Sequence, residues 1–469
     1  MLLPSNMAAL SACNACVLFS NGIKAAVVQF SCPETVFYLD FPSFQSPEDS
    51  SQPADTKPGS TGDKKDETQQ PGGDVANSKR SSAQNWILAS RISPDGKLVA
   101  LCDDQKHLHI YEVSQDGCRL ISSRCVARRV TSVVFTQDNK HVIVVDRSGD
   151  AYRFPVAPEQ LPGVSGDSRP ATDAREGEDA AVHGGTLLLG HLSMVLDVLL
   201  VERDFLIVTC DRDEKIRVSR YPDGFQIESY CLGHTQFVVT LAYDEDLKLL
   251  ISGSGDASVR VWTLDGKQVT TVNVLDDLPT ENDDTTRDAP VSQEKSTNVQ
   301  PTIKDDDRLA VQSVVYCSKC RLLFVSLNKS RHVLVYRLLS TGSSFSLKLA
   351  SALSGSGIVT NISVSQCVLW VTRKSDDKLS LSAYNIQDVG GQVLLTDVQV
   401  DSKEHCILQT INTQANLANA PPSALDLFPL LWKSGFQEDF KEHWKIKRAS
   451  GESKHKKDQK KQKVEAAAS

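Results

Sequence analysis

The residues that decide the fold lie in one segment: Leu232-Gly-His-Thr235, an alternating apolar run, and then Ser252-Gly-Ser-Gly-Asp-Ala-Ser-Val-Arg-Val-Trp262. Both markers occur once before at a distance of 43 residues, as Gly190-His191 and as Thr209-Cys-Asp-Arg-Asp-Glu-Lys-Ile-Arg-Val-Ser219. Short apolar strands and polar turns alternate between the markers. A repeat of about 40–45 residues with this order is typical of a four-stranded propeller blade. The segment therefore predicts an all-β propeller.

Weaker copies of the same template occur at 85–113, 125–154, 309–338 and 358–386, which makes six recognisable units. A seventh unit would form if early strands at 17–19, 25–30 and 37–41 joined late strands at 393–400 and 407–411. Such a mixed sheet would close the ring with strands from both chain ends and leave no exposed sheet edge. The sequence thus predicts a seven-bladed WD40 β-propeller.

Composition divides the chain into blades and insertions. Residues 1–41 are predicted to be the closing strands, 85–154 and 307–412 to be blades, and 185–274 to be the two clearest repeats. The segments 42–84, 155–184 and 275–306 are poor in apolar residues, which predicts disordered insertions.

The last segment, 413–469, is predicted to hold a helix and a basic tail. Phe436, Phe440 and Trp444 recur every four residues, as on an amphipathic helix. Residues 441–463 contain ten Lys or Arg and three acidic residues. Such a run is either a solvated tail or a nuclear-localisation signal or RNA-contacting arm.

Overall composition excludes several classes. The net charge of -8 gives no global sign of a nucleic-acid binder, so any basic site must be local. No run of 18 apolar residues is present, and we expect a soluble, intracellular protein that does not enter a membrane. Most of the twelve cysteines lie in apolar strands. Cys13/Cys16 and Cys317/Cys320 have the spacing of half a zinc site, but without a matching His cluster we predict chance spacing and no metal.

The His, Ser/Thr and Asp residues of the repeats resemble a catalytic triad in composition only. We interpret them as buried hydrogen-bonded networks that connect the strands of one blade, because a buried polar group is costly unless it is paired. The two sets are His234, Ser252, Asp256 and Trp262, and His191, Thr209 and Asp213. Nucleophile-elbow, phosphate-loop and dinucleotide motifs are missing from the sequence, so we predict no catalytic residue and no cofactor.

The two copies of the turn differ in charge. Alignment at Asp213 and Asp256 places ionic residues in the first copy where the second has Ser, Gly or Ala. They form either exposed ion pairs within the chain, worth about 0–1 kcal/mol each, or a fixed charge pattern that binds a partner. The candidate partner-binding residues are Asp211, Arg212, Asp213, Glu214, Lys215 and Arg217.

A basic cluster precedes this turn by one blade. Arg128 and Arg129 come before the first strand of that blade and Arg147 lies in a later turn, positions that can share one rim of a propeller. Arg124 and Arg153 lie nearby in the sequence. Arg128, Arg129 and Arg147 are candidates for contact with a nucleic-acid backbone; the alternative is ordinary solvated arginines.

Residues 188–198, 211–219 and 232–235 resemble the non-catalytic WD-repeat subunit of the tRNA guanine-N7 methyltransferase. The resemblance implies a heterodimer with a Rossmann-type, S-adenosylmethionine-dependent catalytic subunit, which methylates guanine 46 in the tRNA variable loop, and a nuclear location. It also implies that Asp213, Glu214, Lys215 and Arg217 bind the catalytic subunit and that Arg128 and Arg147 reach tRNA phosphates.

Two other classes are possible. One is a general propeller adaptor, such as a ubiquitin-ligase substrate receptor. Those receptors often carry Trp-Asp-x-Arg after the third strand, whereas Trp262 is followed here by Thr-Leu-Asp. The other is a hydrolytic propeller, which would need a nucleophile or metal cluster that the sequence does not offer.

Overall fold

Among the residues that the structure describes, the strands pair into seven four-stranded antiparallel sheets. The structure is a computed structural model that describes residues 10–41, 85–157, 185–279, 308–342, 344–376, 378–418 and 431–432. In these ranges 28 strands alternate with tight turns, and the prediction of a seven-bladed β-propeller is confirmed.

Each blade uses four strands that are consecutive in the chain. Blade 1 contains β1 Leu10–Ala12, β2 Cys16–Ser20, β3 Ala25–Gln29 and β4 Cys32–Leu39. Blade 2 contains β5 Ile87–Ile92, β6 Leu98–Asp103, β7 His107–Ser114 and β8 Gly117–Cys125. Blade 3 contains β9 Val130–Phe135, β10 His141–Asp146, β11 Asp150–Pro155 and β12 Thr186–Gly190. Blade 4 contains β13 Val195–Val201, β14 Leu206–Asp211, β15 Ile216–Arg220 and β16 Ile227–Cys231.

The remaining three blades repeat this order. Blade 5 contains β17 Val238–Asp244, β18 Leu249–Ser254, β19 Ser258–Thr263 and β20 Gln268–Asn273. Blade 6 contains β21 Val311–Cys317, β22 Leu322–Leu327, β23 Val333–Thr341 and β24 Ser344–Leu353. Blade 7 contains β25 Ile358–Ser365, β26 Val368–Ser375, β27 Lys378–Val389 and β28 Gln392–Asp397. Two helices follow, α1 Lys403–Asn412 and α2 Ala415–Ala418.

The middle strands of a blade are buried on both sides because each sheet packs between two neighbours. All six residues of β14 and all six of β18 are buried, which explains their nearly continuous apolar runs. Outer strands such as β16 and β20 are largely exposed. The first strands β1, β5, β9, β13, β17, β21 and β25 touch in sequence around the ring and line a central channel of about 410 Å³.

Two faces follow from this order. The hairpins between second and third strands, together with the links between blades, form the upper face. The hairpins between first and second strands, and between third and fourth strands, form the lower face.

The predicted mixed closing sheet is wrong. The N-terminal strands form blade 1 alone, and 393–397 belongs to the last strand of blade 7. Residues 407–411, predicted as a strand, lie in α1, because Ser402 caps its N-terminus by accepting a hydrogen bond from the His405 amide at 3.1 Å. Ile407 and Ile411, four residues apart, then face the blades and are buried.

Contacts between blades 1 and 7 close the ring without a shared strand. The Ala12 amide donates to Ser363 Oγ at 3.1 Å, and the Gln366 side chain donates to the Asn14 carbonyl at 3.0 Å. The rings of Phe30 and Trp370 lie edge to face at 6.2 Å. Helix α1 contacts β4 of blade 1 and β27 of blade 7. It therefore spans this junction.

Blades extend past two predicted boundaries. Val156 is buried, and Leu278 packs on the core between blades 5 and 6. Asp277 accepts a hydrogen bond from the Tyr336 hydroxyl at 2.9 Å. Residues 155–157 and 275–279 are therefore part of the propeller, and the second insertion interrupts blade 3 between β11 and β12.

The other segment predictions concern residues that are not described. The insertions at 42–84, 158–184 and 280–307 lie outside the described residues, as do the amphipathic helix at 436–444 and the basic run at 441–463. In the ranges the structure covers, no helix is both long enough and apolar enough to cross a membrane.

Candidate partner and RNA interface

The blade 5 network has the predicted structural geometry. His234 Nε2 lies 2.8 Å from Ser252 Oγ, and the Trp262 indole donates to the same oxygen at 2.8 Å. His234 Nδ1 lies 3.0 Å from the Asp256 carboxylate. The pKa of His234 is lowered, because burial outweighs the opposing effect of the bond to Asp256. The pKa of Asp256 lies well below its usual range, because hydrogen bonds from His234 and Ser258 outweigh the effect of burial, which alone would raise it. We interpret the pair as neutral imidazole and carboxylate that connect strands.

The corresponding network in blade 4 uses a different acid from the one predicted. His191 Nε2 lies 2.7 Å from Thr209 Oγ1 and Nδ1 lies 3.0 Å from Asp211, so the assignment of Asp213 to this network is wrong. Thr209 and Asp211 are two residues apart and face the same side of β14, where both reach the imidazole. In blade 5 that position is Ser254, whose side chain is too short, and Asp256 takes the role.

Because Asp211 and not Asp213 bonds to the imidazole, these two candidate partner-binding residues have different roles. Asp211 is buried, and its second oxygen accepts the Lys215 amide at 2.9 Å, so it shapes the turn from inside. Asp213 lies in the turn, where its carbonyl accepts the Lys215 ammonium at 3.2 Å. The turn of residues 212–215, hereafter the charged turn, carries the accessible charges of this set.

Arg217 is only 7% exposed and uses its guanidinium within the blade. Nε donates to Ser219 Oγ at 2.8 Å, Nη1 to the Gly190 carbonyl at 3.0 Å, and Nη2 to the Gly224 carbonyl at 2.5 Å. Burial lowers the pKa of this side chain. The side chain therefore fixes the loop at Gly190 relative to β15.

The charged turn is tied to the channel mouth through Arg212. Its amide donates to the Met194 carbonyl at 2.9 Å, and its Nε lies 3.5 Å from the Leu431 carbonyl. Leu431 and Trp432 are buried against Phe237, with the two aromatic rings 5.3 Å apart. The guanidinium of Arg308 lies 5.4 Å from the Trp432 ring centre. Leu431 and Trp432 thus cover one edge of the upper channel mouth.

A cleft of about 360 Å³ adjoins the charged turn, and the sequence did not predict it. Asp213, Lys215 and Arg217 lie on its walls with three exposed apolar residues, Leu192, Tyr230 and Leu232. Exposed apolar side chains beside charges are a common feature of binding surfaces. The sequence feature that could have indicated this cleft is a Leu beside each Gly-His pair, Leu192 after the first and Leu232 before the second.

The basic cluster is brought together in part. Arg128 is exposed, and the Arg147 amide donates to the Arg129 carbonyl at 3.2 Å. Burial and then the charge of Arg129 lower the pKa of Arg147. These arginines lie on the upper face. Arg124 instead donates to the Val156 carbonyl, and Arg153 bonds to the Tyr221 side chain.

One loop connects the arginines to the charged turn. The His191 amide donates to the Gly149 carbonyl at 2.8 Å, beside Arg147, and a side chain at Gly149 would collide with the His191 and Ser193 carbonyls. The same loop bonds through His191 to Asp211 and through Met194 to Arg212. Residues 190–194 therefore place both charge groups side by side on the upper face of blades 3 and 4.

A third acid–histidine group has the same structural role in blade 2. The Asp103 carboxylate lies 3.1 Å from His107 Nδ1 and 3.3 Å from His109 Nε2, and it accepts the His107 amide at 2.7 Å. His109 also lies 3.0 Å from Ser123 Oγ. These bonds connect β6, β7 and β8 within the blade.

The fold and the networks define a WD40 propeller in which the buried His and Asp residues connect strands and turns, with the charged turn and the Arg128 side chain accessible on the upper face. Its family follows from comparison: residues 42–185 and 166–393 match the model described as the tRNA methyltransferase TRM82 WD40 domain. The chain belongs to this family.

Named relatives are non-catalytic subunits of tRNA (guanine-N(7)-)-methyltransferase. The chain is 39% identical over 196 residues to the wdr4 subunit of Xenopus laevis, covering 41% of this chain and 44% of that one. It is 42% identical over 177 residues to wdr4 of Danio rerio, covering 38% and 37%. For wuho of Drosophila melanogaster the identity is 30% over 298 residues, covering 63% and 59%. The matched segments thus span from about two fifths to three fifths of these relatives.

The comparison with solved structures is evidence for the fold alone. A chain in the crystal structure of the mitotic checkpoint complex superposes with a TM-score of 0.53 at 12% identity, covering 83% of this chain and 92% of that chain.

Proposed function

We propose that this chain is a non-catalytic subunit that binds the catalytic tRNA guanine-N7 methyltransferase subunit as a heterodimer and helps position tRNA for N7-methylguanosine formation at position 46. The charged turn and its apolar cleft bind the catalytic subunit, and Arg128, Arg129 and Arg147 contact tRNA phosphates. The contribution of such a subunit to rate is positioning, since it holds two reactants in productive geometry.

One observation carries this proposal: the 190–194 loop places a fixed charge pattern and a group of arginines beside each other on one face. Opposite charges in a rigid turn select a partner and its orientation, while apolar residues beside them supply buried area. Arginines next to that surface can neutralise phosphates of an RNA held between the subunits. Within this surface Arg217 positions the loop from inside the blade.

Charge reversal tests the protein interface. Lys215 is exposed on the upper face, and Lys267 is exposed in the lower-face hairpin between β19 and β20. We expect Lys215→Glu to weaken binding of the separately purified catalytic subunit at least tenfold in a calorimetric titration, and Lys267→Glu to leave it unchanged. Equal affinity of both variants and the wild-type chain would contradict the proposed surface.

The tRNA part has a separate test. Arg128→Glu should weaken tRNA binding by the assembled complex and reduce its salt dependence by roughly one counterion, since each phosphate contact releases about one ion. Lys97→Glu, in an exposed lower-face hairpin of the neighbouring blade, is the control. Unchanged salt dependence in Arg128→Glu would remove this arginine from the RNA surface.

We also propose that the protein acts in the nucleus, on the basis of the ten Lys or Arg at 441–463. A fluorescent fusion with these residues changed to Gln should lose nuclear enrichment. Unaltered enrichment would show that this run is not the signal.

A further inference from the structure

Three cysteines from two blades meet on the lower face. Cys317 ends β21 and Cys320 lies in the hairpin that follows, while Cys367 lies in the equivalent hairpin of blade 7, between β25 and β26. The three Sγ atoms lie within 4.8 Å of one another, and those of Cys320 and Cys367 are 3.7 Å apart. Cys317 is buried, and the other two are half-buried.

The distances suit a shared metal ion. Tetrahedral zinc with Zn–S bonds of about 2.3 Å separates two sulfurs by roughly 3.8 Å. A disulfide would instead require an S–S distance of about 2.05 Å. Gln366 and Cys367 both have positive φ, 49° and 60°, which non-glycine residues rarely adopt. Positive φ at both central residues is what a two-residue hairpin loop requires, and this tight turn brings the third thiol to the other two.

We infer that Cys317, Cys320 and Cys367 bind one zinc ion as three thiolates and so join blades 6 and 7. Soft thiolate ligands favour zinc among the abundant divalent ions. Each thiol gives up its proton to solvent as the metal binds. Within the described ranges no fourth His, Cys, Asp or Glu belongs to this group, so water or an external donor completes the tetrahedron.

The location separates this site from the proposed partner surface. Both hairpins lie on the lower face, whereas the charged turn lies between β14 and β15 on the upper face. Because metal binding releases the thiol protons, metal uptake should strengthen with pH.

Cobalt substitution of the full chain tests the site. Protein stripped with a chelator under reducing conditions is titrated with Co²⁺, and thiolate-to-cobalt charge-transfer absorption is recorded before displacement by Zn²⁺. We expect one Co²⁺ per chain with tetrahedral d–d bands. The half-buried positions should tolerate substitution, so Cys320→Ser and Cys367→Ser should stay folded by circular dichroism and lose most of the signal.

Two controls keep the result specific. Cys125→Ser removes an exposed thiol elsewhere, and the double variant Cys13→Ser/Cys16→Ser removes another close pair, with sulfurs 3.8 Å apart. Both should retain the cobalt spectrum and its stoichiometry. The inference would be overturned if the Cys320→Ser and Cys367→Ser chains showed the same cobalt absorption as the wild-type chain. Absence of charge-transfer absorption in the reduced wild-type chain would also overturn it. Detection of a Cys320–Cys367 disulfide in a chain that binds no cobalt after reduction would do the same.

Discussion

Replacement of Arg217 by alanine tests whether this side chain positions the 190–194 loop or contacts the catalytic subunit directly. The guanidinium donates to Ser219 Oγ and to the carbonyls of Gly190 and Gly224. Alanine leaves both carbonyls without these donors; Gly190 is exposed and its carbonyl can bond to water instead, whereas Gly224 is buried. An unpaired buried acceptor costs about 1–3 kcal/mol, so we expect the free energy of unfolding to fall by about 1–3 kcal/mol.

Arg220 is the matched control. It lies three residues further along the same strand, is exposed, and pairs only on the surface with Glu228. Surface pairs contribute about 0–1 kcal/mol, so Arg220→Ala should change stability little. Arg217→Lys should fall between, because one ammonium cannot reproduce the planar fork that reaches three acceptors.

Urea denaturation followed by circular dichroism measures this difference, and titration with the catalytic subunit measures its consequence. We expect Arg217→Ala to lose stability and binding together, since the 190–194 loop is released. An unfolding free energy within about 0.5 kcal/mol of the wild-type value, the range usual for surface substitutions, would refute the positioning role. If binding were lost at that unchanged stability, Arg217 would be a direct contact.

Three further predictions concern stability. Because burial depresses the folded pKa of His234, its neutral form contributes stability that is present above about pH 6.5, the unfolded His value, and is lost as pH falls further. The pKa of Asp256 is depressed as well, but its contribution is lost only below about pH 3.9, the unfolded Asp value. The melting temperature should therefore drop between pH 7 and 5, and less steeply in His234→Gln. Asp197 accepts the Ser132 hydroxyl at 2.8 Å and the Leu241 amide at 2.9 Å from the neighbouring blades, so Asp197→Ala should cost about 2–5 kcal/mol in urea denaturation; wild-type stability would contradict this bridge. Ile407→Ala should cost about 2–5 kcal/mol and raise amide exchange in β1 and β25 before other inner strands; uniform exchange around the ring would oppose a role of α1 at the junction.

Much of the fold could be predicted from the sequence because each blade repeats one burial pattern. Two middle strands packed on both sides require apolar runs such as β14 and β18, and these stand out at a fixed period. The ring closure could not be predicted in the same way. Ile407 and Ile411 fit either a strand or a helix, and the Ser402 cap, not the apolar residues, decides the outcome.

The sequence located the turn that carries the candidate site, but it did not predict which side chains of that turn are buried and which are exposed. Alignment placed Asp213 opposite Asp256, but the imidazole pairs with whichever carboxylate lies within reach, here Asp211. Arg217 is charged and therefore predicted to be exposed, yet backbone carbonyls can hold a guanidinium inside a sheet. Likewise Cys367 is 47 residues from Cys320, and only the adjacency of two blades brings their sulfurs together.

The junction between blades 1 and 7 has a kinetic consequence. Every other pair of neighbouring blades is joined by the chain itself, whereas this pair is held by packing, a few hydrogen bonds and helix α1. Folding of six blades can therefore proceed in order along the chain, but the ring is complete only when residues near opposite ends find each other. In a nascent propeller the apolar side of blade 1 that faces blade 7 would stay uncovered until blade 7 and residues 403–412 have left the ribosome, which makes this junction the last step of assembly.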